Sequence, residues 1–244
     1  MTLVSENRNN VYALVVAGGT GTRMGSAIPK QFLSVAGREM IQWSVHKFDS
    51  NSRIDRVIVL VPSDWVAHTD ALFCDRSEVL VAAGGETRND TVSIGLDLID
   101  KKYGIDDETV VLVHDAARPL VTTEIVDNAI DSMGRYAAST VAMGVTDSIA
   151  VSEDGSTVAS YPDRKNIFMI QTPQTFMASI YRELYEAASD EERAAMTEST
   201  RLFIDNGYEV GIVEGNIRNM KVTRSGDIEI LEMIYQKSAG RKDK

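Results

Sequence analysis

A single cysteine, Cys74, stands in a chain of 244 residues, so no internal disulfide can form. A lone cysteine is ordinarily a small apolar residue, and nothing here asks more of it. The three histidines, His46, His68 and His114, lie too far apart for metal-ligand spacing. No apolar run approaches the roughly 20 residues of a membrane span. Residues 1–10 are polar and lack the apolar stretch of a secretory signal. A cytoplasmic protein is the expectation. Basic charge is scarce as well: 25 Lys and Arg face 36 Asp and Glu, a formal net charge of −11. Nucleic acid and anionic membranes attract basic faces, so this balance argues against both as partners. A small anion is a different matter, because it meets only the field inside its own cleft. A triphosphate ligand would require several of the 25 cations to gather at one place.

What is present is ordinary globular material, 43% hydrophobic and 25% charged, enough for one α/β domain over residues 1–244. Strands are expected at residues 11–17, 56–61, 78–82, 109–114 and 140–143, with helices at 40–49, from Asp64, at 88–103 and at 125–133. Strands separated by helix-length segments imply mostly parallel pairing with helices on both faces. Past Ser139 the rhythm changes. Residues 149–151 and 157–159 flank Asp154-Gly155, which suits a tight hairpin, so residues 146–165 are expected to project as a β-hairpin arm. Ser189 and Glu192 form a capping-box pattern, residues 197–206 read as a helix closed by Gly207, 210–214 as a strand and 227–237 as the last helix.

The chemistry concentrates where the first strand ends, in Val16-Ala17-Gly18-Gly19-Thr20-Gly21-Thr22-Arg23-Met24-Gly25. Glycines let backbone N–H groups crowd an anion and Arg23 adds a fixed charge, although a glycine-rich segment is also a common structural turn. It is not a Walker loop, since no Gly-Lys-Ser/Thr follows. Nor is it a dinucleotide fingerprint, because Met24 stands where the third glycine belongs. Pro29-Lys30-Gln31-Phe32-Leu33 comes next, and Lys30 is either a second cation over the same phosphates or a plain surface lysine.

Taken together, these two segments resemble the CTP-dependent sugar- and polyol-phosphate cytidylyltransferases. The resemblance recurs in order at Gly84-Gly85-Glu86-Thr87-Arg88-Asn89-Asp90-Thr91, His114-Asp115-Ala116-Ala117-Arg118-Pro119, Gln171-Thr172-Pro173-Gln174-Thr175-Phe176 and Asn219-Met220-Lys221-Val222-Thr223. It implies a Rossmann-like nucleotidyltransferase fold and attack by a polyol phosphate on the α-phosphorus of CTP, with pyrophosphate leaving. Arg23, Lys30, Lys221 and Arg164 are the implied catalytic groups. Ala17, Gly18, Gly19, Gly21, Gly85, Glu86, Arg88, Asn89 and Thr91 are implied around the nucleotide, with Arg88 alternatively only capping its helix. Asp115, Arg118, Ser148, Arg164, Thr172 and Thr197 are implied around the polyol phosphate, with Arg118 alternatively an ion-pair partner of Asp115. A magnesium ion bridging the triphosphate is implied, with Asp115 as its one candidate protein contact. The arm implies a homodimer.

Within the family, one branch acts on D-ribitol 5-phosphate and the other on 2-C-methyl-D-erythritol 4-phosphate. Ala17-Gly18-Gly19, Arg88-Asn89-Asp90-Thr91, Trp65-x-x-His68, residues 103–107 and Thr146-Asp147-Ser148 look like the ribitol branch. Asp163-Arg164-Lys165-Asn166 resembles the erythritol branch at least as well, and Glu198 stands where both tend to have Asp.

Overall fold

A computed structural model describes residues 10–18 and 28–239. Gly19, Gly21 and Arg23, with most of the glycine segment, lie outside the described residues. The central sheet has seven strands: β1 (Val11–Val16), β4 (Arg56–Val61), β5 (Val79–Ala83), β6 (Val110–Asp115), β7 (Ala138–Gly144), β8 (Phe168–Met177) and β9 (Val210–Glu214). Their order is β5-β4-β1-β6-β8-β7-β9. β5, β4, β1 and β6 run parallel, as do β7 and β9, while β8 is antiparallel to both its neighbours. A two-residue pair, β2 (Ser34–Val35) and β3 (Arg38–Glu39), lies apart.

Alternation along the strands sends successive side chains to opposite faces. Ala13, Val15, Val57, Val59 and Leu112 meet Ile41, Val45 and Phe48 of α1 (Met40–Asp49) and Ile125, Val126 and Ala129 of α4 (Thr123–Asp131). Leu14, Ile58, Leu60, Val111 and Val113 meet Val92, Leu96 and Ile99 of α3 (Arg88–Tyr103), Tyr181 of α5 (Ala178–Ala187) and Phe203 of α7 (Arg201–Asp205). Each such fully buried aliphatic or aromatic side chain contributes about 1.5–3 kcal/mol. Gly95 sets how near α3 lies to the sheet, since a Cβ there would stand 2.7 Å from Leu14 Cδ1. α2 (Val66–Leu72) and α6 (Asp190–Ala195) are short, and α8 (Ser225–Ala239) packs Leu231 with Val222, Ala117, Met40 and Val35.

Several expectations need correcting. β8 and α5 were not legible, and β8 is the one strand of the seven that runs against its neighbours. The arm is no hairpin of two strands: one bridge, Val151 to Ser160, closes it. Its turn is as expected, with Gly155 at φ +73° and the Asp154 carboxylate accepting the Ser156 and Thr157 N–H groups at 2.8 Å. Val151, Val158 and Tyr161 are exposed and give the arm no apolar face within the chain to pair on. A two-stranded hairpin without such a face is marginal. The helix expected over residues 197–206 shrinks to α7, because Gln174 accepts the Ser199 N–H and holds that stretch as a turn.

Candidate active site

The parallel strands β5, β4, β1 and β6 end at one edge, with Val16 level with both Leu60 and Asp115. After β1 the chain moves to β4 on one side, and after β5 it crosses to β6 on the other. That reversal opens a crevice beyond the strand ends, the usual ligand position in open α/β sheets.

Asp115 is the last residue of β6 and is 8% exposed. Its N–H donates to Thr172 Oγ1 at 3.2 Å, and Thr172 Oγ1 lies 2.9 Å from His114 Nδ1. His114 Nε2 lies 3.0 Å from the Arg118 carbonyl. A carbonyl only accepts, so Nε2 carries the proton, Nδ1 is bare, and the Thr172 hydroxyl donates to it. This chain works only with neutral imidazole. Burial, opposed by the Arg118 carbonyl, holds the His114 pKa down at about 4. The turn is further tied by Ala116 N–H to the Val16 carbonyl (3.0 Å), Ser44 Oγ to the Ala116 carbonyl (2.7 Å) and Val222 N–H to the Ala117 carbonyl (2.8 Å).

Among the described residues, three cations face the Asp115 carboxylate. Lys221 Nζ is 2.7 Å from Oδ2, Arg118 Nε 3.7 Å from Oδ2, and Arg88 Nη2 3.7 Å from Oδ1. Burial pushes the Asp115 pKa up, but Arg88, Lys221 and Arg118 outweigh it and bring it to about 2. Lys30, in a 3-10 turn over Lys30–Phe32, donates to the Val222 carbonyl at 2.8 Å, next to Lys221. An acidic chain thus carries a cationic cleft. Among the described residues, neither Arg88 Nη atom meets an acceptor at hydrogen-bond distance although both are buried. Cationic donors left without acceptors in a cleft suit an anionic ligand.

The structure sorts the remaining expected residues. Arg118 donates to the Asn219 carbonyl (2.7 Å) and the Ile170 carbonyl (3.3 Å), so the ion-pair reading describes it and it braces the Asp115 turn. Arg88 is not the cap of α3. Thr87 takes that role in a reciprocal box with Asp90, leaving the Arg88 side chain to reach Asp115. Asn89, expected at the nucleotide, is buried and donates to the Met196 carbonyl (2.7 Å) and the Arg193 carbonyl (3.1 Å); it fixes the approach to Thr197. Thr91 is likewise turned inward, accepting the Gly85 N–H at 3.0 Å and donating to the Thr87 carbonyl at 2.8 Å. Gly85 must be glycine, since a Cβ would fall 2.4 Å from Asp90 Cβ. Thr172 serves the His114 chain. Ala17 is buried, while Gly18, Glu86 and Thr197 are exposed. Arg164 and Ser148 lie on the exposed 145–166 segment, where Arg164 Nη1 donates to the Thr146 carbonyl at 2.7 Å, and the chain does not bring them to Asp115.

Sequence reasoning missed three residues that hold the site. Gln31 Nε2 donates to the Ala17 carbonyl at 2.5 Å, joining the two ends of the glycine segment. Asn219 Nδ2 donates to the Thr172 carbonyl at 2.8 Å. Gln174 Nε2 donates to the Glu198 carboxylate. The signal for all three was present, since each sits inside a quoted motif. As for metal, the described residues contain no group of three His, Cys, Asp or Glu. Asp115 is one carboxylate already faced by three cations, so these residues do not build a resident cation site. Magnesium can be held by phosphates with one or no carboxylate, so a cation arriving on a triphosphate remains compatible with this donor set.

The His114 chain has a consequence in acid. The ordinary pKa near 6.5 applies to the unfolded chain and about 4 to the folded one, so between them the unfolded state binds the extra proton. Stability is therefore full above pH 6.5 and falls toward pH 4, by about 1.4 kcal/mol for each pH unit and roughly 3 kcal/mol in all. Urea unfolding at pH 7 and pH 4.5 should show this fall, and His114→Gln should remove most of it. An equal fall in the variant would assign the acid sensitivity elsewhere.

Comparison with known proteins bears on this geometry. A ribitol-5-phosphate cytidylyltransferase of Lactiplantibacillus plantarum is 34% identical over 232 residues, covering 93% of this chain and 99% of the relative. The crystal structure of 4-diphosphocytidyl-2C-methyl-D-erythritol synthase from Anaerococcus prevotii superposes with TM-score 0.79 at 24% identity, over 94% of this chain and all of that one. The 2-C-methyl-D-erythritol 4-phosphate cytidylyltransferase of Francisella tularensis gives TM-score 0.76 at 26% identity, over 91% of this chain and 97% of that one. The profile of the family described as IspD, 2-C-methyl-D-erythritol 4-phosphate cytidylyltransferase, matches residues 11–237, and the chain belongs to that family of nucleotidyltransferases.

Proposed function

We propose that this enzyme transfers CMP from CTP to D-ribitol 5-phosphate, forming CDP-ribitol and releasing pyrophosphate. The observation that carries the choice of polyol is the 34% identity to the ribitol-5-phosphate enzyme across 99% of its length, against 24–26% to the erythritol enzymes named above. The chemistry is an oxygen of the polyol phosphate attacking the α-phosphorus while the bond to the β-phosphate oxygen breaks. Both reactants are anions, so the protein's part is neutralisation and alignment. Lys30 and Arg23 are assigned to the triphosphate, with Gly18, Gly19 and Gly21 around it. Lys221 leaves Asp115 for the attacking phosphate, and Asp115 then accepts polyol hydroxyls. A divalent cation, when bound to the triphosphate, adds charge neutralisation at the departing pyrophosphate. The exposed arm, with Val151, Val158 and Tyr161, is assigned to pairing with a second copy, which would bring the partner's Arg164 to the site.

The deciding measurement is kcat/KM for D-ribitol 5-phosphate and 2-C-methyl-D-erythritol 4-phosphate at saturating CTP, read by pyrophosphate release. A missing hydroxyl leaves its protein partner unsatisfied, about 1–3 kcal/mol for each, so the ribitol phosphate should win by at least about tenfold. Preference for the erythritol phosphate would reassign the polyol and leave CMP transfer intact. UTP should be poor and EDTA should stop turnover, and light scattering should return the dimer mass. Comparable rates with UTP, activity in EDTA or a monomer mass would each remove the corresponding assignment.

A further inference from the structure

The Lys30–Phe32 turn sends its three side chains to three different parts of the fold. Lys30 reaches the Val222 carbonyl, 192 positions away in sequence, and Gln31 reaches the Ala17 carbonyl at the end of β1. Phe32 stacks on Trp65 with ring centroids 4.1 Å apart and planes 11° from parallel. The His68 ring stands edge-on to both, 5.6 Å from Phe32 and 5.2 Å from Trp65. His68 Nε2 meets both oxygens of the Glu39 carboxylate, at 2.9 and 3.1 Å, and Glu39 is the N-cap of α1. Trp65 and His68 open α2, so this cluster couples α1 and α2 to the turn.

Phe32 is 5% exposed, whereas Trp65 is only half-buried and the His68 side chain is 44% exposed. The cluster therefore sits at the margin of the core, with Trp65 packed against it and the His68 ring part-exposed. Such stacked and edge-on pairs are directional and contribute beyond their area. A turn only three residues long has no internal ladder to fix its orientation, and so takes it from what its side chains grip.

We propose that Trp65 and His68 are positioning residues for the transfer step: by gripping Phe32 they set where the Lys30 ammonium stands over the reacting phosphates. This rests on the role given to Lys30 above. Misplacing a catalytic group by about 1 Å from a distance can cost up to about 10²-fold. Trp65→Ala should lower kcat about tenfold with KM for CTP within about twofold, and Trp65→Phe, which keeps a stacking ring, should recover to within about threefold of wild type.

The test is a double-mutant cycle with Lys30→Ala in the full-length protein, using CTP and the better polyol phosphate. If the rings act through Lys30, Trp65→Ala should cost less than about twofold more once Lys30 is gone. His68→Ala runs through the same cycle, and its exposed ring makes unfolding no escape if Trp65→Ala fails to fold. For His68→Ala a smaller loss, about threefold, should likewise vanish in the Lys30→Ala background. Equal losses with and without Lys30, or no loss in either variant, would overturn the anchor alone. Near-native turnover of Lys30→Ala by itself would overturn the role of Lys30 and the anchor with it.

Discussion

Lys30→Ala is expected to lower kcat by about 10²–10³-fold, the range found when a transition-state donor is removed. The size follows from where the charge is held. Lys30 Nζ is fixed on the Val222 carbonyl, the residue after Lys221, whose own ammonium meets Asp115. Two anionic reactants must come together there, and a fixed cation does not need to reorganise as charge moves to the leaving group. Folding should survive. Lys30 is part-exposed, and Gln31 and Phe32 keep the grips that hold the turn. Lys30→Arg should recover only part of the loss, since a planar guanidinium does not replace a compact ammonium. Near-native kcat in Lys30→Ala at saturating CTP, with an unchanged melting temperature, would remove Lys30 from the chemistry.

The sequence was most legible where one physical signal dominated. α1 and β4 came out at their observed bounds, because α1 keeps a clean helical period and β4 is an unbroken apolar run buried on both faces of the sheet. β8 was hidden by Pro173. Proline cannot donate to a ladder and so argues against an interior strand. Here it sits at the register shift between β7 and β8, where no ladder bond is required of it. Beyond that point the Thr172 hydroxyl takes the Asp115 N–H in place of a backbone carbonyl. Such an exchange between side chain and backbone leaves no periodic trace.

For the site, motifs gave residue types but not directions. Gly85 to Thr91 was expected around the nucleotide; the side chains of Thr87, Asn89 and Thr91 are spent on the backbone of their own surroundings, and Arg88 reaches the crevice. Which residue of a helical first turn points outward depends on where the helix axis lies. That is set by Gly95 against Leu14, seven residues further on. The Trp65-x-x-His68 pair carried no chemistry on its own, and gained a role only once α2 was placed over Phe32.

Asp115→Asn should damage stability and substrate binding in different amounts, and the difference identifies what the carboxylate does. In the folded chain one carboxylate offsets three cations, and removing one member of a buried pair costs about 3–5 kcal/mol. The lower end applies. The Lys221 side chain is 45% exposed and can turn to water, and Arg118 keeps its two backbone carbonyls. A loss of about 3 kcal/mol corresponds to a melting temperature lower by about 6–12 °C at this chain length. Asparagine keeps the size and one acceptor oxygen, so the backbone bond to Thr172 should stay. If Lys221 moves to the attacking phosphate and frees Asp115 for the polyol hydroxyls, kcat/KM for the polyol phosphate should fall about 10–10²-fold, as for hydrogen bonds to a charged group. KM for CTP should move little. Phosphate or sulfate should bind the variant more tightly than the wild type, because the three cations have lost their internal counterion, and should restore part of the lost melting temperature. A variant destabilised as expected but with unchanged KM for the polyol phosphate would make Asp115 a counterion only, and the polyol hydroxyls would then need another acceptor, for which the Glu198 carboxylate held by Gln174 is the nearest in kind.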